Sequence, residues 1–209
     1  MSFMYNPFPF DDPKPVNRPA LSKETIDSIV AGGTPNVAKK FVAQIADRVR
    51  TEGVIVGIDG YTTANWNLFV NLLARECVIN GFEFETVDAN KATLKSGKEI
   101  DDMIDPLLIW DTKIDPTLLY GKLYHGGYIG LFDQEKMEQF RKDVPAMKTP
   151  GKLVVVAGYG SMIAELRDLY DVKCWFDLTP MKTMLRIRGG EYANLGKERP
   201  GIINRIIRR

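Results

Sequence analysis

Apolar positions along this chain fall into two kinds of run. Thr34-Pro35 gives a capping residue followed by proline at a first helical position. After it, Val37, Ala38, Phe41, Val42, Ile45, Ala46 and Val49 recur at spacings of three and four, which predicts one amphipathic helix ending at Gly53. Val54 to Ile58 is instead a short unbroken β-branched run, the pattern of a buried strand. A glycine-bearing turn follows at 59–63. Trp66, Phe69, Val70, Leu73 and Cys77 then outline a second helical stripe that stops at Gly81. Phe82 to Val87 predicts a second strand. Glu99 to Ile104 reads as helical and Leu107 to Trp110 as extended, while Tyr120 to Gly130 is rich in glycine and aromatics. Asp133 caps a predicted helix carrying Met137, Phe140 and Val144. Leu153 to Ala157 is the most strand-like run. Met162, Ile163 and Leu166 suggest a helix, Lys173 to Leu178 a strand, Met181, Met184 and Leu185 another helix, and Ile206-Ile207 a terminal strand.

Strands that alternate with helices predict βαβ units, a parallel doubly wound sheet and helices on both faces. Ligands of such sheets sit beyond the carboxyl ends of the strands, so the loops to watch are 57–66, 88–98, 157–161 and 177–181. Residues 1–20 hold five of the twelve prolines, with Phe3, Tyr5, Phe8 and Phe10 among them. They read as an extended arm that lies in a groove of its own body or of a neighbour, a possible route to a homo-oligomer. Ser22 then looks like an N-cap, with Leu21 and Ile26 at the spacing of a hydrophobic staple. Residues 21–209 are expected to form a single α/β domain.

Composition narrows the function classes. Lys plus Arg is 28 against 27 Asp plus Glu, a net charge of +1, which argues against a nucleic-acid-binding protein. No apolar run approaches the roughly 20 residues of a membrane helix. The start, MSFMYNPFPF, has neither the basic residues nor the apolar stretch of a signal peptide. Cys77 and Cys174 sit in apolar segments and read as reduced core residues of a cytoplasmic protein. His125 is the single histidine and no CxxC pair occurs, so no zinc site is expected.

The segment after the first strand stands where a phosphate-binding loop would stand, between a buried strand and a helix N-terminus. Set against G-x-x-x-x-G-K-[ST], the run from Gly60 has the right length. However, Asn65 replaces the second glycine, Trp66 the lysine, and Asn67 the hydroxyl residue that holds magnesium. Thr62 and Thr63 can still donate to an oxyanion, and Asn65 can still adopt a left-handed backbone. The candidate phosphate-binding residues are therefore Gly60, Tyr61, Thr62, Thr63 and Asn65. The opposing reading is a plain connecting turn with Trp66 in the core, largely buried.

Two resemblances add to this. Leu153-Val-Val-Val-Ala157-Gly158-Tyr159-Gly160, then Glu165-Leu-Arg-Asp-Leu-Tyr-Asp171-Val-Lys-Cys-Trp-Phe-Asp177, then Met184-Leu-Arg186-Ile-Arg188-Gly-Gly-Glu191 resemble, in that order, the uridine kinases and phosphoribulokinases. The likeness implies a P-loop NTPase-like three-layer sandwich. It also implies lid arginines at Arg186 and Arg188 that clamp phosphates. The strand acid of those kinases is Ala157 here. With Trp66 and Asn67, that makes three separate losses of catalytic groups. Residues 101–133, 153–163, 175–178 and 184–195 are also similar to the N-terminal kinase-like region of bacterial class I mannose-6-phosphate isomerases, a region that precedes a zinc-dependent cupin domain. That resemblance implies a non-catalytic domain of sugar-phosphate metabolism. It would bind a phosphorylated sugar or nucleotide, or serve structurally, beside a cupin-type isomerase domain, with no isomerase site of its own. The alternative is an active phosphotransferase using ATP and magnesium, with Asp59 or Asp111 as base. For Asp59, Asp111, Asp115 and His125 the competing readings are a local turn or loop role. For Arg186 and Arg188 the competing reading is a solvated helix end.

Overall fold

The computed structural model describes residues 22–24, 33–195, 197, 199–201 and 203–208; the arm at 1–20 and the staple partners Leu21 and Ile26 lie outside them. The first helical stripe forms α1 (Gly33–Glu52), which buries Ala38, Val42, Ile45, Ala46 and Val49. Gly53 turns the chain into β1 (Val54–Gly60), every residue of which is buried. The second stripe forms α2 (Asn67–Asn80), closed by Gly81 in the left-handed conformation. It leads to β2 (Glu83–Asp88). Two short helices follow, α3 (Ala89–Thr93) and α4 (Gly97–Ile104), the second opened by a capping box of Ser96 and Glu99. Residues 105–133 are mostly irregular, with one antiparallel bridge between Leu108 and Gly121 in place of the expected extended run. Asp133 accepts from the Lys136 amide to start α5 (Gln134–Ala146). The order closes with β3 (Lys152–Ala157), β4 (Val172–Phe176), α6 (Pro180–Arg188) and α7 (Ile203–Arg208).

The four strands are all parallel, in the order β2-β3-β1-β4. Side chains alternate across β1 and β3 with the two-residue period of a strand. Val54, Val56, Ile58, Leu153 and Val155 meet α1 and α2 on one face. Ile55, Val154 and Val156 meet Ala89, Phe140, Val144, Leu166 and Tyr170 on the other. The result is an α/β sandwich with core on both sides of the sheet.

Two expectations fail locally, each for a physical reason, and one helix forms where expected but buries other residues. The helix suggested by Met162, Ile163 and Leu166 is a series of turns ending in one 3-10 turn at Arg167–Leu169. The Gly160 and Met162 amides donate to Asp59 and the Ser161 hydroxyl to the Ile58 carbonyl, so this backbone is tied to β1 before a helical ladder can form. On α6, Met181, Met184 and Leu185 face solvent, at 73%, 39% and 56% exposure, and the buried face is Thr183 and Ile187. The chain end is helical and not extended: Ile206 is buried and α7 packs near α6.

At the amino end of the sheet, Asp171 joins three elements. Its carboxylate accepts from the Ile55 amide at 2.8 Å, from Lys148 at 2.8 Å and from Arg48 at 3.2 Å. Burial pushes its pKa up, but the Lys148 and Ile55 hydrogen bonds and the charges of Lys148 and Arg48 outweigh it and hold the group below its ordinary value of 3.8. A depressed folded pKa means stability that is present above the unfolded pKa and lost as pH falls through the folded one. Asp171→Asn should therefore cost about 2 kcal/mol at neutral pH, the scale of a charged hydrogen bond. The gap from wild type, measured by urea unfolding, should shrink steadily below the ordinary value of 3.8. A gap that stays constant into acid would contradict this account.

Candidate functional site

β1 and β3 are neighbours whose connections leave toward opposite edges of the sheet, to β2 and to β4 respectively. Their carboxyl ends therefore open a crevice at a topological switch point. The turn after β1, the β3–β4 connection and α6 meet there.

Gly60 is not part of the turn, as expected from the sequence, but the last residue of β1, paired with Phe176. The turn proper begins at Tyr61, whose amide donates to the Phe176 carbonyl at 2.9 Å. Thr63 sits at φ +68°, buried, with its hydroxyl unpartnered. That is a strained conformation for a β-branched residue. The carbonyls of this turn are taken one after another. Thr62 accepts from the Thr183 hydroxyl at 3.2 Å, Thr63 from Arg186 Nη1 at 2.5 Å, and Ala64 from the Tyr159 hydroxyl at 2.9 Å. Asn65 Oδ1 accepts from the Asn67 amide at 2.9 Å, in the manner of a cap, at the start of α2.

Arg186 is thus brought to the turn, where one of its donors holds a backbone carbonyl. Its Nε lies 3.6 Å from Glu191. Beside it opens a cavity of about 220 Å³ lined by Thr63, Asn65, Trp66, Asn67, Tyr159 and Glu191 among others. Arg188 is exposed, lies two residues further round the helix and does not line this cavity. Trp66 packs against the core on the α1–α2 side of the sheet and keeps a minor part of its surface exposed. Its ring meets Tyr159 at 4.9 Å and Phe176 at 6.3 Å, both edge-to-face, so it walls the cavity without filling it.

Asp59 is buried at 6% exposure. It accepts from the Gly60 amide at 2.7 Å, the Gly160 amide at 3.1 Å and the Met162 amide at 3.1 Å. It also lines a second cavity, of about 350 Å³, whose other walls include Tyr128, Tyr159, Trp175 and Tyr192. Gly160, at φ +79°, lets the Tyr128 ring lie where a Cβ would come within 2.2 Å of it. Burial, with the Tyr192 charge next and a smaller contribution from Asp59, pushes the Tyr159 phenol up to about 12, so it stays a hydrogen-bond donor at neutral pH. Asn90, which the sequence reading missed, clamps the β3–β4 connection. Its Oδ1 accepts from the Tyr159 amide at 2.9 Å and its Nδ2 donates to the Tyr159 carbonyl at 2.7 Å. No local motif marks it, because its partner lies 69 residues away.

The remaining candidates lie elsewhere. Asp111 is exposed and accepts from the Lys113 amide at 2.8 Å, closing a turn. Asp115 is fully buried, and its carboxylate accepts from the Thr117 hydroxyl and the Tyr120 amide. His125 is exposed in the glycine-rich stretch. None of the three lines either cavity. Burial pushes the thiols of Cys77 and Cys174 up to about 11, so both are protonated at neutral pH; Cys77 is buried and Cys174 only partly so. Among the described residues no group of three or more His, Cys, Asp or Glu is placed to hold a metal ion. No helix there is long and apolar enough to cross a membrane.

No curated protein matches the chain. A family model described as "Domain of unknown function (DUF8485)" matches residues 38–209, a span that includes all four strands and every residue lining the two cavities. The chain belongs to the DUF8485 family.

Proposed function

We propose that this domain is a degenerate member of the P-loop type of nucleoside and sugar kinases, and that it binds a phosphorylated sugar or nucleotide without transferring the phosphoryl group. The observation that carries the reading is the convergence on one cavity of the strand–turn–helix after β1 and the guanidinium of Arg186. A helix N-terminus and an arginine with donors to spare are the groups that recognise a phosphate. The buried, unpartnered hydroxyl of Thr63 at the same turn adds a further polar group.

Three absences favour binding over transfer. Trp66 holds the place of the lysine that stabilises charge on the transferred group. Asn67 and Ala157 hold the places of the magnesium-binding hydroxyl and the strand acid. These residues do not fit ATP with magnesium, so no phosphoryl-transfer step is drawn through them. The alternative, an active phosphotransferase, would need Asp59 or Asp111 as base. Three amide donors already occupy Asp59, and Asp111 closes a turn away from the cavity. By the resemblance to mannose-6-phosphate isomerases, a cupin-type isomerase domain is the proposed functional neighbour, and the chemistry would reside there.

Thermal unfolding with mannose 6-phosphate, a set of mononucleotides, and ATP with magnesium tests this. At least one phosphorylated compound should raise the midpoint saturably, and Arg186→Ala should abolish that shift. ATP turnover should stay at the level of a protein-free blank. No shift with any compound would refute phosphate binding, and turnover would establish the alternative.

A further inference from the structure

The larger cavity contains an imbalance of charge. Asp59 is nine-tenths buried, yet among the described residues it pairs with no lysine, arginine or histidine. Its three amide partners contribute dipoles but no net charge. A carboxylate offers about four acceptor sites, one more than these three amides use. Arg186, which lines the neighbouring cavity, contacts Thr63 and Glu191. Four aromatic residues, Tyr128, Tyr159, Trp175 and Tyr192, line the same cavity, beside Met162, Ile163 and Leu195. Rings with negative faces, set around a carboxylate in a partly dry cleft, favour positive charge.

We propose that the cavity bounded by Asp59, Tyr128, Tyr159, Trp175 and Tyr192 binds an organic cation, an ammonium or alkylated ammonium group, with Asp59 as its counter-charge. A divalent metal ion fits the same place poorly. Calcium or magnesium asks for six or more oxygen ligands, and this cavity offers one carboxylate, already shared by three amides. An alkylated ammonium needs no such shell. One carboxylate and several rings suffice, and a space of about 350 Å³ accommodates it. The inference does not rest on phosphate binding, because Arg186 lines the other cavity and not this one, although Tyr159 and Tyr192 line both.

Choline chloride and its neutral isostere 3,3-dimethyl-1-butanol, titrated into the full chain by calorimetry, separate charge from shape. Choline should bind saturably, and the isostere about ten-fold more weakly, a loss between that of an exposed and a desolvated cation–π contact. Asp59→Asn, which removes the counter-charge, should weaken choline binding by about ten-fold or more. Trp175→Ala, a change at a 60% exposed side chain, should weaken it while leaving the fold intact by circular dichroism. If Asp59→Asn does not fold, the isostere comparison and Trp175→Ala decide. Equal affinity for choline and the isostere, no saturable choline binding, or full affinity in a folded Trp175→Ala variant would each overturn the proposal.

Discussion

Gly60→Val is expected to destabilise the domain by about 4 kcal/mol, at the upper end of what overpacking costs. A Cβ at Gly60 would lie 2.5 Å from the Phe176 carbonyl oxygen, 3.0 Å from the Phe176 Cβ and 3.1 Å from the Ala64 Cβ. The nearest obstacle is backbone of the paired strand, which cannot swing away as a side-chain tip can. Relief would require parting β1 from β4 and losing the Tyr61–Phe176 hydrogen bond that starts the turn. Gly81→Ala makes the control. Gly81 also has special backbone, at φ +71°, but nothing lies within 4 Å of its Cβ position. Its cost should be only the left-handed penalty of about 1 kcal/mol. Chemical denaturation of the two variants should therefore separate widely. Near-equal losses would mean that the contact between Gly60 and Phe176 is not a real constraint. The variant also removes Gly60 as a simple probe of phosphate binding, since loss of the fold would precede loss of the ligand.

The parts of this architecture that were legible in the sequence are those set by local periodicity. The stripes from Val37 to Val49 and from Phe69 to Cys77, and the strand cores at 54–58 and 153–157, are each fixed by residues within one element, and α1, α2, β1 and β3 form there. The crevice was legible only as a position. Any parallel sheet places its loops at the carboxyl ends of its strands, so the turn after β1 had to lie there. What could not be read were bonds made across long separations. Asp59 reaches Gly160 and Met162, 101 and 103 residues on, and that contact replaces a predicted helix with turns. Thr183 and Arg186 reach the carbonyls of Thr62 and Thr63 across 121 and 123 residues. They dock α6 beside the buried Ile187 and leave Met181 and Leu185 in water. Tyr192 joins both cavities although nothing in its own sequence neighbourhood distinguishes it from a surface tyrosine.

Trp66→Lys is expected to cost about 3 kcal/mol, the low end for removing a large aromatic from its packing, because the residue keeps a minor part of its surface exposed. The indole loses edge-to-face contacts with Tyr159 and Phe176. It also loses contact with the core cluster on the α1–α2 side of the sheet. Two aromatic pairs contribute about 1 kcal/mol each beyond area, and the remainder is apolar surface returned to water. The lysine placed there would stand where a working phosphate loop carries its cation, next to the cavity beside Arg186. On the proposed reading it would not confer phosphoryl transfer. Magnesium would still lack its hydroxyl ligand at Asn67 and its acid at Ala157, and a cation alone supplies only part of the charge stabilisation such a reaction needs. The added charge should instead tighten binding of whichever phosphorylated compound shifts the wild-type midpoint, once the variant's own lower stability is taken into account. A folded Trp66→Lys protein that hydrolysed ATP with magnesium would overturn the proposed reading of this turn as a non-transferring phosphate site.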